Sequence, residues 1–313
     1  MNHKVALLFA GQGAQSVGMG KDLYESSPAA KAIFDQADAQ LGFPLSRVIF
    51  EGPVEELTKT SVCQPALFVH GIACLTALRE MLPELNVTAA AGLSLGEFTA
   101  HAAAGTFDFS TALDLVARRG RAMQEACEST EGGMAAVIGA EENSVRDLAA
   151  AADVDIANLN CPGQVVISGE SSKVALAVSL AKEYGARKAM ELNVAGAFHS
   201  RLMESAFEKL SEVLADTPIV PPAVTVVCNV DAIPVHTPDE IRRTLADQVT
   251  GSVRWTESIE YLIDHLGCDL FIEIGPGGIL SGLMNRIRKG TPVHGISNVA
   301  SLEESVAALR AIL

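Results

Sequence analysis

The chain has 313 residues, 49% of them hydrophobic and 19% charged, which is enough for one large domain or for a domain that carries a smaller insert. Its 23 basic and 38 acidic side chains give a formal net charge of −15, which argues against nucleic acid and anionic membranes as partners because both would be repelled at long range. No apolar run reaches the ~18 residues of a membrane span, and the N-terminal "MNHKVALLFAGQG" indicates a first strand, not a signal peptide.

Strand and helix patterns alternate along the first part of the chain, which predicts an α/β fold with a parallel-sheet core. The segment "VALLF" predicts a buried strand that leads into the glycine-rich turn "AGQGAQ". A long helix is predicted over residues 64–82, a short strand over 89–92, and a helix from Ser94 onward. The next helix is predicted over 110–127, with Ser110 as its N-cap.

The middle of the chain predicts four strands and two helices in the order βαββαβ, which is that of a ferredoxin-like subdomain. The α/β pattern resumes with the helix "RLMESAFEKLSEVLAD" and the strand "VTVVCN", followed by two helices. The strand "DLFIEIG", a helix and a C-terminal helix from Ser301 complete it. We therefore expect an α/β-hydrolase-like catalytic domain formed by residues 1–130 and 196–313. The ferredoxin-like subdomain is expected as an insert over 131–195.

The segment Gly92-Leu93-Ser94-Leu95-Gly96 fits the G-x-S-x-G pattern of a nucleophile elbow. A sharp strand-to-helix turn exposes the central serine, and it requires tiny residues two positions away on each side. The following helix directs its N-terminal N–H groups toward an oxyanion formed on the serine. The alternative is a tight turn whose serine only caps the helix.

A nucleophilic serine needs a base, and seven histidines are available. His199 is the preferred candidate because it lies on a loop of small residues where the insert returns to the larger domain. A structural or helix-capping histidine is the alternative. No aspartate between Ser94 and His199 has a setting that identifies it as the third member of a triad.

Arg119 is predicted to lie at the margin of the apolar stripe of its helix, whereas Arg118 and Arg121 project away from it. A guanidinium at the edge of a core is costly unless an anion meets it. That anion is either an acidic side chain of the protein or the carboxylate of a substrate, for which the planar fork of arginine is a suitable receptor.

Seven motifs occur in order over nearly the whole chain: "AGQGAQSVGMG", "GLSLGE", "RRGRAMQEA", "NCPGQVVISG", "GAFHSRLM", "VRWTESI" and "EIGPGGILSGL". Together they closely resemble the malonyl-CoA:acyl-carrier-protein transacylase family of bacterial-type fatty acid synthesis. Acyltransferase domains of polyketide synthases share this fold. The glycine-rich turn is not a dinucleotide fingerprint, because Ser16 stands where the third glycine belongs.

The resemblance implies a role for each matching residue. Ser94 is the serine that becomes malonylated, His199 is its general base, and Arg119 pairs with the malonyl carboxylate. The backbone N–H groups of Gln12 and Leu95 form the oxyanion hole. The resemblance also implies a Ser-His dyad without a triad acid, in which the main-chain carbonyl of Gln248 orients the histidine.

Two positions depart from the family pattern. Leu93 replaces a histidine that many members have before the nucleophile, and Arg201 replaces a common proline just after the base. The first puts in doubt a second polar contact to the acyl group. The second predicts a slightly different start of the helix that follows His199.

The implied reaction takes malonyl-CoA and holo-acyl carrier protein as partners, without a metal or redox cofactor. Because carrier proteins are acidic, we expect a local basic patch to dock them, and two segments are candidates: Arg286, Arg288 and Lys289, and Arg187 with Lys188. Six scattered cysteines without a C-x-x-C pair indicate reduced thiols in a cytoplasmic protein. The alternatives are a polyketide acyltransferase, a serine esterase or thioesterase, and a non-catalytic scaffold.

Overall fold

A computed structural model describes residues 3–312, and its strands form two separate sheets. The strands, in chain order, are β1 (Val5–Phe9), β2 (Val87–Gly92), β3 (Gly132–Ile138), β4 (Asp155–Cys161), β5 (Gln164–Glu170), β6 (Lys188–Glu191), β7 (Thr225–Val227), β8 (Pro234–Val235), β9 (Leu270–Ile274) and β10 (Val293–Ile296).

Helices cover the faces of both sheets. They are α1 (Lys21–Ser26), α2 (Pro28–Leu41), α3 (Leu45–Glu51), α4 (Val54–Thr58), α5 (Thr60–Met81), α6 (Leu95–Ala103), α7 (Phe109–Glu128), α8 (Glu142–Ala152), α9 (Ser171–Leu180), α10 (Glu204–Asp216), α11 (Pro238–Asp247), α12 (Trp255–Glu260), α13 (Ile279–Ile287) and α14 (Val299–Ile312). A 3₁₀ turn, Arg201–Met203, precedes α10, and a π-helical turn, Tyr261–His265, follows α12.

The larger sheet has the strand order β10-β9-β1-β2-β7-β8, and all of its pairings are parallel except that of β8 with β7. Every residue of β1 is buried, as expected for a strand covered on both faces. Phe9 and Gly92 are register partners at the carboxyl ends of β1 and β2. The loops that follow these two strands therefore lie side by side, in the position where open α/β sheets bind ligands.

The smaller sheet is antiparallel throughout, in the order β4-β5-β3-β6. With α8 and α9 it has the βαββαβ order and the strand arrangement of a ferredoxin-like fold. The strand β4 also bonds to the loop after α11, because Leu159 N–H donates to the Val253 carbonyl and Val253 N–H donates to that of Ala157. This contact fixes the loop that follows Gln248.

Helix α5 differs from the expectation that no apolar segment is long enough to span a membrane. Its 22 residues include an 18-residue window with a mean hydropathy of 1.5. However, 83% of that window is buried inside the protein, where α5 packs against α2 and α7. Its apolar character is therefore that of a central core helix.

Several predicted boundaries need correction. Helix α7 begins at Phe109, because the Asp108 carboxylate caps it by accepting from Thr111 N–H at 2.7 Å, whereas the Ser110 hydroxyl donates to Gln40. Helix α5 starts at Thr60, and α14 starts at Val299. The prediction missed six elements that are mostly short, namely α1, α2, α3, α4, β8 and β10.

Gly120 on α7 permits the close approach of α5. A Cβ at this position would lie 2.9 Å from the Thr60 carbonyl oxygen and 3.3 Å from the Ser61 Cα, both of which are backbone atoms. Gly120→Ala should therefore destabilise the protein by about 1–2 kcal/mol through overpacking, even though alanine is the better helix former.

Thermal denaturation should show a lower Tm for this variant. The matched control is Gly282→Ala on α13, where an added Cβ meets nothing within 4 Å and the Tm should stay equal or rise. Equal Tm values for Gly120→Ala and the unchanged protein would contradict close packing of α5 on α7.

Candidate active site

The turn between β2 and α6 holds Ser94 in a strained backbone conformation, with φ of 54° and ψ of −107°. A Cβ on Gly92 would lie 1.9 Å from the carbonyl carbon of Gly96, and one on Gly96 would lie 2.2 Å from the Phe9 oxygen. Glycine is therefore required at both positions, because the neighbouring backbone atoms leave no space for a side chain. This is the geometry of a nucleophile elbow.

The Ser94 side chain does not cap α6. Its Oγ lies 2.8 Å from Nε2 of His199 and 3.1 Å from Nη2 of Arg119. The structure thus brings together three side chains that are separated by up to 105 positions in the chain.

His199 occupies a loop position with a φ of +56°, and it is almost fully buried. Its Nδ1 lies 2.8 Å from the main-chain oxygen of Gln248. Because a carbonyl can only accept, Nδ1 carries the hydrogen and Nε2 is left to accept the hydroxyl proton of Ser94. A main-chain carbonyl therefore occupies the place that an acidic side chain has in a Ser-His-Asp triad.

Burial and the nearby Arg119 guanidinium lower the pKa of His199 to about 4, although the Gln248 carbonyl opposes this shift. At neutral pH the imidazole is therefore uncharged. It can act as a proton acceptor without first losing a proton.

The Arg119 guanidinium is fully buried, and no acidic side chain lies within ion-pair distance of it among residues 3–312. Nη1 donates to the Gln64 Oε1 at 2.7 Å, and Nη2 donates to the Gln248 Oε1 at 2.8 Å. Its Nε has no hydrogen-bond partner among the described residues, and the centre of the Phe98 ring lies 5.2 Å from Cζ. Burial lowers the pKa of Arg119 to about 10, so the group remains cationic at neutral pH. The site holds a positive charge that neutral amide oxygens solvate.

Gln248 joins the base to the cation. Its main-chain oxygen holds His199, and its side-chain oxygen accepts from Arg119. Its Nε2 donates to the Ser94 main-chain oxygen at 3.0 Å and to the Glu97 Oε2 at 2.5 Å. The resemblance implied only the main-chain contact, so the side-chain contacts were not predicted from the sequence.

Asn229 and Glu97 were not singled out by the sequence analysis. The Asn229 Oδ1 accepts from Ser94 N–H at 2.8 Å, and its Nδ2 donates to the Gly92 oxygen at 2.8 Å, which clamps both sides of the elbow. Glu97 is fully buried on α6, three residues after the serine. A carboxyl group in the buried first turn of this apolar helix is a signal that could have identified it.

The expected oxyanion hole depends on two backbone N–H groups. A Cβ on Gly11 would lie 2.3 Å from the Leu93 oxygen, so the loop after β1 lies directly against the elbow. Within residues 3–312, neither Gln12 N–H nor Leu95 N–H has a hydrogen-bond acceptor. Both donors are available to a ligand, and their role in an oxyanion hole stays a prediction.

The two departures from the family pattern lie next to Ser94 and close to His199 in the chain. Leu93 packs against the apolar cluster that contains Trp255. Arg201 forms the first residue of the 3₁₀ turn, where its side chain bonds to Asp155 on β4 and to Asp153. The two ion pairs tie the histidine loop to β4 of the smaller sheet and to the turn before it.

The two basic segments lie close together. Gly139 N–H donates to the Gly163 oxygen, and a Cβ on Gly139 would touch the Arg187 side chain at 2.8 Å. On the other side of this turn, Arg286 donates to the Pro162 oxygen and to Gln164. Arg288 is paired with Asp264. We name the surface formed by Arg187, Lys188, Arg286 and Lys289 the basic edge.

The six cysteines are all free and buried. Over residues 3–312, no group of three His, Cys, Asp or Glu side chains is arranged to hold a metal ion.

Comparison with known proteins shows which family and which relatives this chain matches. Residues 6–302 match a family model described as "Acyl transferase domain". The malonyl CoA-acyl carrier protein transacylase of Bacillus subtilis is 44% identical over 98% of both chains.

Solved structures show the same likeness. The acyl-carrier-protein-S-malonyltransferase of Bartonella henselae is 40% identical and superposes with a TM-score of 0.93, covering 98% of this chain and 99% of that one. A malonyl-transacylase solved in complex with its type II polyketide synthase acyl-carrier protein is 36% identical, with a TM-score of 0.91 and coverage of 97% and 99%.

The lowered pKa of His199 predicts an unusual acid limb. Acyl transfer should stay nearly constant from pH 7.5 down to about 5 and decline only as the pH approaches 4, because protonation removes the base. The measurement is the pre-steady-state rate of Ser94 acylation against pH. A half-maximal rate near 6.5, the ordinary value for histidine, would contradict the buried, cation-adjacent setting of the base.

Proposed function

The chain belongs to the acyl transferase domain family, and from that premise we propose that it transfers the malonyl group of malonyl-CoA to the phosphopantetheine thiol of holo-acyl carrier protein, for fatty acid synthesis. One observation carries the proposal: Ser94 and His199 share a hydrogen bond beside a buried Arg119 that has no ion-pair partner in the described chain. A serine-histidine pair suits acyl transfer, and the free cation suits an acyl group that bears a carboxylate.

The first half-reaction forms a malonyl-serine ester. His199 Nε2 takes the Ser94 hydroxyl proton while Oγ attacks the thioester carbonyl carbon. The resulting oxyanion receives hydrogen bonds from the N–H groups of Gln12 and Leu95. The tetrahedral intermediate then collapses, the carbon–sulfur bond breaks, and the imidazolium proton goes to the departing CoA sulfur.

The second half-reaction reverses these roles with a new thiol. The phosphopantetheine thiol gives its proton to His199 Nε2, and its sulfur attacks the ester carbonyl. The Ser94 oxygen leaves and recovers the proton from His199. The products are malonyl-carrier protein and free enzyme, so the kinetics are ping-pong.

The preference for malonyl follows from the charge balance at Arg119. A substrate carboxylate would meet a guanidinium whose native contacts are amide oxygens and a hydroxyl, and whose Nε has no acceptor in the described chain. An ion pair formed in this buried place gains far more than one at the surface. A neutral acyl group gains nothing comparable.

We also propose the domain boundaries, the cofactor requirement and the cellular compartment of the protein. The large domain comprises residues 1–130 and 196–313, with the insert over 131–195. The reaction needs no cofactor beyond its substrates. The protein is cytoplasmic, which its six free, buried cysteines and a CoA thioester substrate support.

The docking surface for the acidic carrier protein is proposed to be the basic edge. It brings together the two basic segments of a chain whose net charge is −15. It can therefore attract an acidic carrier protein that the rest of the surface repels. The acyl carrier protein of a polyketide synthase would accept the malonyl group by the same reaction, since a structural relative is bound to such a carrier. The choice of carrier, and not the chemistry at Ser94, separates these two pathways.

Incubation with malonyl-CoA, followed by intact-mass and peptide analysis, tests the proposal. The expected result is a stable malonyl adduct on Ser94 that holo-carrier protein discharges rapidly and water discharges slowly. Charge reversal at Arg187 or Arg286 should slow the discharge and leave loading unchanged. Hydrolysis without need of an acceptor would instead identify an esterase, and the absence of an adduct would identify a scaffold.

Replacement of Arg119 tests the origin of the acyl preference. Arg119→Ala should impair malonyl loading far more than acetyl loading, by the ~2–5 kcal/mol that accompanies loss of one partner of a desolvated charge pair. The control is Arg118→Ala on the same helix, since Arg118 is half exposed and paired with Asp114. Equal losses for malonyl-CoA and acetyl-CoA in Arg119→Ala would contradict the assigned role.

A further inference from the structure

Glu97 is a buried carboxyl group for which the acyl transfer described above has no use. It lies in the first turn of α6 and has no exposed surface. Its Oε2 accepts two hydrogen bonds, whereas its Oε1 is buried without a partner in the described chain. An unsatisfied buried oxygen costs about 1–3 kcal/mol, so its retention at this place calls for a functional explanation.

The two donors to Oε2 are the residues that hold the site together. Gln248 Nε2 lies at 2.5 Å, and Asn229 N–H lies at 3.0 Å. Gln248 in turn holds His199 through its carbonyl and Arg119 through its Oε1, and Asn229 holds Ser94 N–H. One carboxyl oxygen therefore supports the nucleophile, the base and the cation through single intermediates.

Hydrogen bonding fixes the orientation of the Gln248 amide. Because its Nε2 faces Glu97, its Oε1 must face Arg119. Without an acceptor at position 97, the amide loses the shortest of its three Nε2 contacts and keeps those to the Ser94 main-chain oxygen at 3.0 Å and to the Asn229 Oδ1 at 3.3 Å. Its Oε1 is then held less firmly against the Arg119 guanidinium.

The charges that face Glu97 come from several elements. Arg119 on α7 is the attractive one, whereas Asp231, in the turn after β7, opposes ionisation of Glu97. Cys228, which precedes Asn229, and His199 are both uncharged at neutral pH, since burial raises the pKa of the first to about 11 and lowers that of the second to about 4. Burial, the dominant influence, raises the pKa of Glu97 to about 8.

Resting on the proposed malonyl transfer, we infer that Glu97 is a positioning residue that selects carboxylate-bearing acyl groups. Its oxygen orients the Gln248 amide toward Arg119, and its neutral form leaves the guanidinium charge uncompensated for the substrate carboxylate. When Glu97 ionises, part of the Arg119 field is cancelled from within the protein. Selection for malonyl should then weaken while loading of a neutral acyl group is preserved.

The test is the ratio of malonyl-CoA to acetyl-CoA loading rates on Ser94, measured from pH 6.5 to 9.0, where the Arg119 guanidinium, with a pKa of about 10, stays mostly cationic. The ratio removes titrations that both substrates share, including that of His199. For the unchanged protein it should fall roughly tenfold across this range as Glu97 loses its proton. Glu97→Gln retains the acceptor oxygen but cannot ionise, so its ratio should be high and independent of pH.

Two further variants separate positioning from structural damage. Glu97→Ala should lower the ratio about tenfold at pH 7, with Glu97→Gln restoring it, because only the alanine variant removes the shortest contact that holds the Gln248 amide toward Arg119. The control is Glu273→Gln, another fully buried glutamate, which accepts from the N–H groups of Leu280 and Ser281 away from the site. Its ratio should follow that of the unchanged protein.

The outcomes are distinct from those that test the transfer itself. A flat ratio in the unchanged protein, or the same decline in Glu97→Gln, would overturn the role of Glu97 while malonyl loading remained intact. Failure of the unchanged protein to load malonyl at all would instead overturn the proposed function. Equal losses for both acyl groups in Glu97→Ala would assign Glu97 a structural role only.

Discussion

A buried arginine without an acidic partner is the constraint around which this site is built. The Arg119 guanidinium lies beneath the nucleophile, where an uncompensated charge is costly. The protein offsets part of that cost with the side-chain oxygens of Gln64 and Gln248 and with the face of Phe98. These groups solvate the cation without neutralising it. The charge therefore stays available to an anionic substrate, which a native ion pair would have prevented.

The same requirement explains why the base has no aspartate behind it. A carboxylate near His199 would also lie near Arg119 and would compete with a substrate carboxylate for it. Orientation of the imidazole is instead assigned to a main-chain carbonyl of Gln248, which is polar but carries no charge. The neutral amides of Gln248 and Asn229 then join the elbow, the base and the cation in one hydrogen-bonded network. Such a network is rigid only when all its members are in place.

Local signals in the sequence were sufficient for the elbow. Gly92, Ser94 and Gly96 follow from the sterics of a strand-to-helix turn, and the structure shows the collisions that would exclude larger residues. Arg119 could be recognised from its position on the margin of an apolar stripe. Both features depend on residues that are close together in the chain, so they could be predicted from the sequence.

Other features depend on tertiary structure. The loop of small residues favoured His199 among seven histidines, but a structural role stayed open until the resemblance, since only folding brings His199 to Ser94. The side-chain contacts of Gln248 arise where the end of α11 meets α6, and no sequence pattern encodes that meeting. The helices α1, α3 and α4 have five to seven residues, too few to show periodicity. By contrast, α2 carried a readable signal in its Ser27 N-cap, in Pro28 and in the terminal Gly42.

The most direct test of the account is a crystal structure of the malonyl-Ser94 enzyme. The malonyl carboxylate should lie within hydrogen-bond distance of the Arg119 guanidinium, with the ester carbonyl oxygen directed at the N–H groups of Gln12 and Leu95. Arg119 should have no other anion as a partner. A carboxylate that points to solvent, or one held by a different cation, would contradict the claim that the buried guanidinium selects the substrate.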